Sequence, residues 1–188
     1  MYRTFLIVFT TILALHVLPQ MVIGQESSYD YKMAEVLFSH GKYQDAIRMY
    51  ETALNSPSNS ITTGVLYTRI ADSYFWLNDY ERAREAYRNA LNNQKPGERA
   101  QTHYWIGLCS LLLGRDTEAV AEFLKIPDNY PESGMWVVTA YYWAGRASER
   151  AGRKEDAAEF YRKAGGKGQS IQEQYAMKKA KNLKKGDK

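Results

Sequence analysis

One short pattern occurs four times along the 188-residue chain. Each copy begins with a glycine or asparagine, has an alanine five residues later and carries an aromatic ring four residues after that alanine. The four starts are Gly41, Asn78, Gly114 and Gly152; the alanines are Ala46, Ala83, Ala119 and Ala157; the rings are Tyr50, Tyr87, Phe123 and Tyr161. The alanines are spaced by 37, 36 and 38 residues. A period of this length indicates one supersecondary unit that is repeated and stacked.

Two further columns show what the unit is. Three residues beyond each ring stand Ala53, Ala90, Ile126 and Ala164, and twelve residues before each central alanine stand the small residues Ala34, Ala71, Gly107 and Gly145. Small residues let two helices cross at close range, and a residue that accepts left-handed backbone turns one helix into the next. Because one helical hairpin cannot bury both its faces, the pattern predicts an all-α stack of hairpins.

The order small residue, turn glycine, alanine, ring and alanine resembles the tetratricopeptide repeat, whose unit has about 34 residues and the pattern W-x-x-L-G-x-x-Y, A-x-x-x-F, P. The resemblance covers residues 27–171 and implies an α-solenoid of about four hairpins. Each unit here is longer than the family's by two to four residues. The added residues fall in NSPSNSITTG, NNQKPGER and IPDNYPESGMWVV, so we expect longer loops along one edge of the solenoid.

The end of the chain predicts a cap for this solenoid. The segment GGKGQS breaks the helix after the fourth unit, and a last helix is expected from Ile171 to Leu183 within a basic capping segment, residues 172–188. Its lysines are expected to face solvent. The apolar positions expected to face the repeats are Ile171, Tyr175, Met177, Ala180 and Leu183.

The first 24 residues have the pattern of a cleaved secretory signal. Arg3 is followed by an apolar run from Phe5 to Leu18, Pro19 ends the run, and Val22 and Gly24 fit the positions before a cut. An uncleaved membrane anchor is the alternative, because the apolar stretch is nearly long enough to span.

Two short segments indicate the compartment. NYPES is similar to junctions in periplasmic repeat proteins of the Tol-Pal and outer-membrane-assembly systems. YYWAGRASERAGRKEDAAEFYRKA resembles the helical superstructure of soluble lytic transglycosylases. These resemblances imply an exported protein of a bacterial envelope, periplasmic in a bacterium and secreted otherwise.

Catalytic and metal-binding patterns are not found in the sequence. The lone Cys109 cannot form an intramolecular disulfide, and His16, His40 and His103 are far apart. We therefore predict a non-enzymatic protein without a cofactor or metal. The net charge is +4, but six lysines lie in the last eleven residues, so the body is close to neutral and nucleic acid is not an expected partner.

The family resemblance implies a binding surface. In tetratricopeptide proteins the first helix of each unit lines the concave face, at positions three before, one after and four after the small column. These positions are Tyr31, Glu35, Phe38, Thr68, Asp72, Phe75, Tyr104, Leu108, Leu111, Tyr142, Arg146 and Glu149. Trp76 and Trp136 are further candidates. Such a groove suits a protein or peptide partner with apolar anchors, as in an adaptor or scaffold.

Two alternatives remain open at this stage. Some of these rings could pack against the next hairpin instead of facing a partner. The lysine-rich last helix could also bind anionic lipid or a cell-wall polymer while the repeats serve as a spacer. Membrane contact is otherwise expected only from the signal segment, and the oligomeric state is left undetermined.

Overall fold

The computed structural model describes residues 29–56, 61–166 and 168–185, and the predicted signal at residues 1–24 lies outside them. The described residues form nine helices and no strand. The helices are α1 (residues 29–39), α2 (Tyr43–Asn55), α3 (Thr63–Trp76), α4 (Tyr80–Asn93), α5 (Pro96–Leu112), α6 (Asp116–Asn129), α7 (Gly134–Arg150), α8 (Lys154–Gly165) and α9 (Ile171–Lys185). Within these ranges no helix combines the length and apolar character that crossing a bilayer requires.

The helices pair into four hairpins, α1–α2, α3–α4, α5–α6 and α7–α8, followed by α9. From α2 onward each helix packs on the next one along the chain, and α7 also contacts both α5 and α9. Helix α9 therefore takes the place that the first helix of a fifth hairpin would take. The predicted α-solenoid of four hairpins with a capping helix is confirmed.

The four turns inside the hairpins share one backbone geometry. Gly41, Asn78, Gly114 and Gly152 all have a positive φ, between 61° and 78°. In the first turn the Gly41 N–H donates to the Phe38 carbonyl at 3.0 Å and the Lys42 N–H donates to the Leu37 carbonyl at 2.9 Å, and the other three turns repeat both bonds. This is the Schellman ending of a helix, in which a left-handed residue satisfies the last free carbonyls.

The repeat columns form the core. The central alanines and the ring column are at most 1% exposed, and the closing column is fully buried. At Gly107 an added Cβ would lie 2.7 Å from a ring carbon of Phe123, and at Gly145 it would lie 2.8 Å from the ring of Tyr161. The ring of each second helix thus rests on the small residue of the first helix, which explains why the two columns occur together.

Ion pairs connect successive hairpins away from the core. Arg84 on α4 is 7% exposed and pairs with Glu118 on α6 at 2.5 Å. Glu81 on α4 pairs with Arg115 at 2.9 Å, and Asp116 accepts a 2.6 Å hydrogen bond from Nε of Arg150. Each pair spans 34 residues of sequence, so neighbouring hairpins are held in register by charge as well as by apolar packing.

The connections between hairpins are shorter than predicted. Only residues 94–95 separate α4 from α5, and residues 130–133 separate α6 from α7. The expectation of longer loops is wrong at these junctions because the added residues lengthen helices: α5 and α7 have 17 residues each, whereas α3 has 14. Pro96 at the start of α5 favours this, since its fixed φ suits the first helical turn.

Helix α9 begins at the predicted residue but packs through a different face. Ser170 and Glu173 form a capping box: the Ser170 N–H donates to the Glu173 carboxylate at 2.9 Å and the Glu173 N–H donates to Oγ of Ser170 at 3.1 Å. Ala176 and Ala180 are buried and Leu183 is half-buried, whereas the other three predicted contact positions are largely exposed: Ile171 (88%), Tyr175 (48%) and Met177 (51%). Met177 still reaches the end of α8, where a Cβ added at Gly165 would lie 2.6 Å from its Cγ, but the small residues Ala176 and Ala180 form the buried face.

Candidate functional site

The first helices of the hairpins line the inner side of the solenoid. Helix α7 contacts α5 on one side and α9 on the other, and Glu35 on α1 reaches Arg69 on α3. Helices that meet directly across a curved stack lie on its concave side. The family resemblance predicted this surface, and the structure divides the predicted residues between two separate cavities and the core.

The first cavity lies between α3 and α5 and has a volume of about 480 Å³. We call it the groove cavity. Four of the predicted residues line it: Phe38, Thr68, Asp72 and Phe75. The further candidate Trp76 also lines it. The remaining lining includes residues that the sequence analysis did not select, among them Arg69, Tyr87, Gln94, Glu98 and Trp105.

Charged groups cross the floor of the groove cavity. Nε of Arg69 lies 3.1 Å from Oε1 of Glu35, and its NH1 lies 3.5 Å from Oδ2 of Asp72. The hydroxyl of Tyr87 donates a 2.6 Å hydrogen bond to Oδ1 of Asp72. Burial raises the pKa of Asp72 above its usual value, and the bond from Tyr87 and the charge of Arg69 offset that shift only in part.

Aromatic rings form the apolar wall of the groove cavity. Phe75 makes edge-to-face contacts with Trp105 at 5.2 Å and Trp76 at 6.4 Å between ring centroids. Trp105 stacks on Tyr87 with an interplanar angle of 11°. Trp76 is 58% exposed, although one neighbour, Tyr43, stacks on it. These rings are held by one another, so they present a preformed surface to a ligand.

Gln94 ties the two hairpins together at the edge of this cavity. Its Nε2 donates to Oγ1 of Thr68 at 3.1 Å, and its Oε1 accepts from Oγ1 of Thr102 at 2.8 Å. Thr68 lies on α3 and Thr102 lies on α5, so one linker side chain bridges both walls. The predicted residue Thr68 therefore supports the wall of the cavity as well as lining it.

Several predicted residues pack in or against the protein core. Tyr104 contacts Phe123, Trp136 and Trp143, and its contact with Trp136 has a centroid distance of 5.4 Å. Leu108 packs against the core of the third and fourth hairpins, and Leu111 is 6% exposed. At the first hairpin, Tyr31 packs on Tyr50 at 6.0 Å. For Tyr31, Tyr104 and Leu108 the structure agrees with the alternative that inner side chains pack against neighbouring residues of the protein.

The predicted residues of the fourth hairpin, together with Leu111 of α5, lie beside α9. Leu111, Arg146 and Glu149 line a second cavity of about 280 Å³ together with Arg150 and Lys179. Tyr142 makes tilted ring contacts with Tyr161 and Tyr175. The capping helix thus borders this end of the concave side and contributes Lys179 to its lining.

Glu149 anchors the capping helix from inside the fourth hairpin. Nζ of Lys179 donates to both its carboxylate oxygens, at 3.0 and 3.1 Å, and the Tyr161 hydroxyl donates at 2.7 Å. Burial alone would raise the pKa of Glu149, but these two partners hold it below the ordinary value. The prediction that the lysines of this helix face outward is wrong for Lys179, because Glu149 offers it a charge partner.

One sequence signal would have found two of the missed residues. Arg69 stands two residues before Ala71, and Trp105 stands two residues before Gly107, so each precedes a member of the small column by two positions. The family positions used for the prediction did not include this column. The structure shows that it faces the groove cavity in the second and third hairpins.

The His103–Glu122 pair and the Cys109 thiol are buried outside both cavities. Nδ1 of His103 lies 2.5 Å from the Glu122 carboxylate, which also accepts from Lys125 at 2.7 Å. Burial raises the pKa of the Cys109 thiol to about 12, which keeps it protonated at neutral pH. Within the described ranges, no group of three or more His, Cys, Asp and Glu side chains is arranged to hold a metal ion.

Solved structures with this fold include several repeat proteins. The chain is similar to MamA, with 20% identity and a TM-score of 0.62 over 74% of this chain and 76% of MamA. It is similar to YrrB, a TPR protein with an unusual peptide-binding site, with 21% identity and a TM-score of 0.63 over 85% of this chain and 74% of YrrB. The apo form of RapI gives a TM-score of 0.76 at 11% identity, over 86% of this chain and 49% of RapI. At these identities the likeness shows a shared fold.

Sequence comparison identifies the family directly. No curated protein matches the chain significantly. The family model described as tetratricopeptide repeat matches residues 68–134 and 137–170, which is more than half of the chain. This match agrees with the four buried columns, the four Schellman turns and the stacked hairpins. The chain therefore belongs to the tetratricopeptide repeat family.

Proposed function

We propose that this protein is a non-enzymatic adaptor that binds a segment of a partner protein in the groove cavity. The observation that carries the proposal is the cavity itself: about 480 Å³, walled by aromatic rings and floored by the Arg69 and Asp72 side chains. Peptide sites are commonly concave, apolar and aromatic, with a few polar groups that fix orientation. YrrB, which shares the fold, is a TPR protein with a peptide-binding site.

The form of the surface favours recognition through side chains. Helices line the cavity, and the backbone groups inside a helix already bond to one another, so a partner cannot add to it as a strand adds to a sheet edge. Binding energy would come from burying apolar groups against Phe38, Phe75, Trp76 and Trp105. A segment in an extended or helical conformation with one or two large side chains fits this requirement.

The groove that we propose is shorter than the whole concave face. Tyr104 and Leu108 pack in the core shared by the third and fourth hairpins, and no residue of α7 or α8 lines the groove cavity. We therefore place the binding site on the first three hairpins. The lysine-rich helix remains the alternative binding surface, but we favour the groove because Lys179 is already paired with Glu149.

We also propose that the adaptor acts outside the cytoplasm. The basic and apolar pattern of residues 1–24 supports export, and the resemblance of NYPES to periplasmic junctions supports a bacterial envelope. A mature chain that begins at Gln25, read by N-terminal sequencing of protein from the native host, would support this. An intact N-terminus in the soluble cell interior would contradict it.

Affinity capture with matched variants tests the groove. The purified protein, immobilised, is exposed to extract from its own source and eluted in salt steps. The groove variant carries Phe38→Ala and Trp76→Ala, and the control is Met135→Ala, which removes a 71% exposed apolar side chain outside the cavity. A protein retained by the wild type and the control but lost by the groove variant supports the proposal. Equal retention by all three overturns it, and binding released at low salt would favour the lysine-rich helix.

A further inference from the structure

The groove cavity has more negative than positive charge. Arg69 is the only cation that lines it in the described ranges, and Glu35 and Asp72 already share that guanidinium, at 3.1 and 3.5 Å. Glu98 adds a third carboxylate at the rim. Among the residues that line the cavity, one guanidinium therefore faces two carboxylates, Asp72 and Glu98, and the surplus charge is negative.

Glu98 has no ion-pair partner among the described residues. It lies in the first turn of α5 and is exposed. Lys95 stands three residues earlier without forming an ion pair with it, and Arg99 donates instead to the Gln94 backbone carbonyl at 3.1 Å. The Glu98 carboxylate is thus free to accept a charge from outside the chain.

Two tryptophan rings of the cavity also lack a cation. Inside the cavity Arg69 lies over Phe38, and elsewhere in the described part of the chain Arg82 lies over Tyr74 at 4.6 Å and Arg146 lies over Trp143. No Lys or Arg of the described residues lies over Trp76 or Trp105. Tryptophan is the ring that attracts a cation most strongly, so these two rings could receive one from a partner.

We propose that the groove cavity binds a basic side chain, lysine or arginine, of the partner segment, next to an apolar anchor. The ammonium or guanidinium group pairs with Glu98 at the rim, its alkyl stem lies along Trp76 and Trp105, and the apolar neighbour packs against Phe75. This inference rests on the proposed function and adds the chemistry of the partner. Charge complementarity carries it: an acidic segment would meet Glu98 and Asp72 as like charges.

Selection from a random peptide library measures this preference without knowledge of the native partner. A phage-displayed library of random dodecapeptides is selected on the full protein, and enriched sequences are synthesised with a fluorescent label. We expect enrichment of Arg or Lys beside a large apolar residue. Affinities are then measured by fluorescence polarisation at fixed ionic strength, because surface charge pairs are screened by salt.

Matched variants connect the preference to the carboxylate. Glu98→Gln removes its charge, and Glu132→Gln removes the charge of another exposed glutamate outside the cavity. We expect Glu98→Gln to weaken the affinity for a basic peptide roughly two- to fivefold, the size expected for an exposed ion pair, and Glu132→Gln to leave that affinity unchanged. A peptide whose basic residue is replaced by norleucine should lose affinity by a similar factor. That peptide should then bind the wild type and Glu98→Gln with equal affinity.

The outcomes separate this inference from the proposed function. Enrichment of neutral or acidic peptides, or of basic peptides that Glu98→Gln does not weaken, overturns the inference; if Trp76→Ala weakens those same peptides, the groove remains the binding site. If neither Trp76→Ala nor Phe38→Ala changes the affinity for any enriched peptide, the proposal that the groove cavity is the binding site is wrong. Circular dichroism of each variant confirms that the helices are intact.

Discussion

The hydroxyl of Tyr87 lies 2.6 Å from Oδ1 of Asp72, which stands on the other helix of the same hairpin. The same kind of bond joins Tyr50 to Glu35 at 2.5 Å and Tyr161 to Glu149 at 2.7 Å. In the third hairpin the ring is Phe123, which has no hydroxyl. The first helix of the third hairpin has Leu108 at the position that corresponds to Asp72. The hydroxyl and its carboxylate acceptor are thus both replaced by apolar groups in this hairpin.

We expect Tyr87→Phe to lower the free energy of unfolding by about 1–3 kcal/mol, because it leaves a largely buried carboxylate without its donor. Urea unfolding followed by circular dichroism measures the change. Tyr67→Phe is a suitable control, since the Tyr67 hydroxyl makes no hydrogen bond within the described residues and its loss should change little. A Tyr87→Phe protein as stable as the wild type would show that this hydrogen bond makes no net contribution to the free energy of unfolding.

The third hairpin allows the reverse experiment. Phe123→Tyr places a hydroxyl in a fully buried position beside Leu108, and we expect a loss of about 1–3 kcal/mol. Adding Leu108→Asp supplies the acceptor that the second hairpin has. In a double-mutant cycle the pair should be more stable than the sum of the single losses predicts. If the two single effects simply add, the side chains at positions 108 and 123 do not interact.

Gly107→Ala should destabilise the protein by about 1–3 kcal/mol through overpacking. The added methyl group would lie 2.7 Å from Phe123, whose ring is fully buried and cannot move away. Gly97→Ala, in the first turn of the same helix, meets nothing within 4 Å and should be neutral or slightly stabilising. Urea midpoints of the two variants test this, and equal midpoints would contradict the close crossing of α5 and α6.

Glu122 predicts a specific pH dependence. Burial alone would raise its pKa, but hydrogen bonds from His103 and Lys125 hold the pKa below the ordinary value of 4.5. The folded state therefore binds the proton more weakly than the unfolded state, so Glu122 adds stability above about pH 4.5 and loses it as the pH falls through the lower folded pKa. Glu122→Gln cannot ionise.

The stability difference between wild type and Glu122→Gln should accordingly be largest near neutral pH and shrink in acid. Unfolding in urea at several pH values between 7 and 3 measures it. Glu132→Gln, which changes an exposed side chain, should show little difference at any pH. If the difference in unfolding free energy between wild type and Glu122→Gln stays constant with pH, the effect of the substitution comes from packing and not from ionisation.

Two nearby residues test the packing of the capping helix. Ala176→Glu places a carboxylate at a fully buried position and should detach α9, whereas Lys178→Glu changes an exposed side chain of the same helix and should be tolerated. Limited proteolysis measures the result as faster cleavage after residue 165 in Ala176→Glu alone. Equal protection of both variants would mean that α9 does not pack through Ala176.

The repeat columns predicted most of the fold because each column has one steric role. A left-handed turn accepts few residue types, and a close helix crossing requires a small one, so Gly41 and Ala34 mark their places without any structure. The same reasoning failed at α9, where large apolar residues were chosen. A short basic helix that packs on α8 at close range buries Ala176 and Ala180 instead, which a hydrophobicity pattern does not reveal.

The candidate site was predictable only in part, for a similar reason. Phe38, Thr68, Asp72 and Phe75 were found because the family positions place them on the inner face. Whether an inner residue faces a cavity or a neighbour depends on the side chains of the next hairpin. Tyr104 is covered because two tryptophans, Trp136 and Trp143, stand opposite it, and this is a three-dimensional relationship that single positions do not encode.

Helix α9 packs on α8 and α7 as the first helix of another hairpin would. The surface that the fourth hairpin presents to it is therefore the kind that any hairpin presents to its successor. A gene duplication that inserted a complete unit before Ile171 would meet matching surfaces on both sides, and the original terminal helix would still close the array. The length of this protein is in that sense adjustable during evolution, and a five-hairpin version is a practical engineering target.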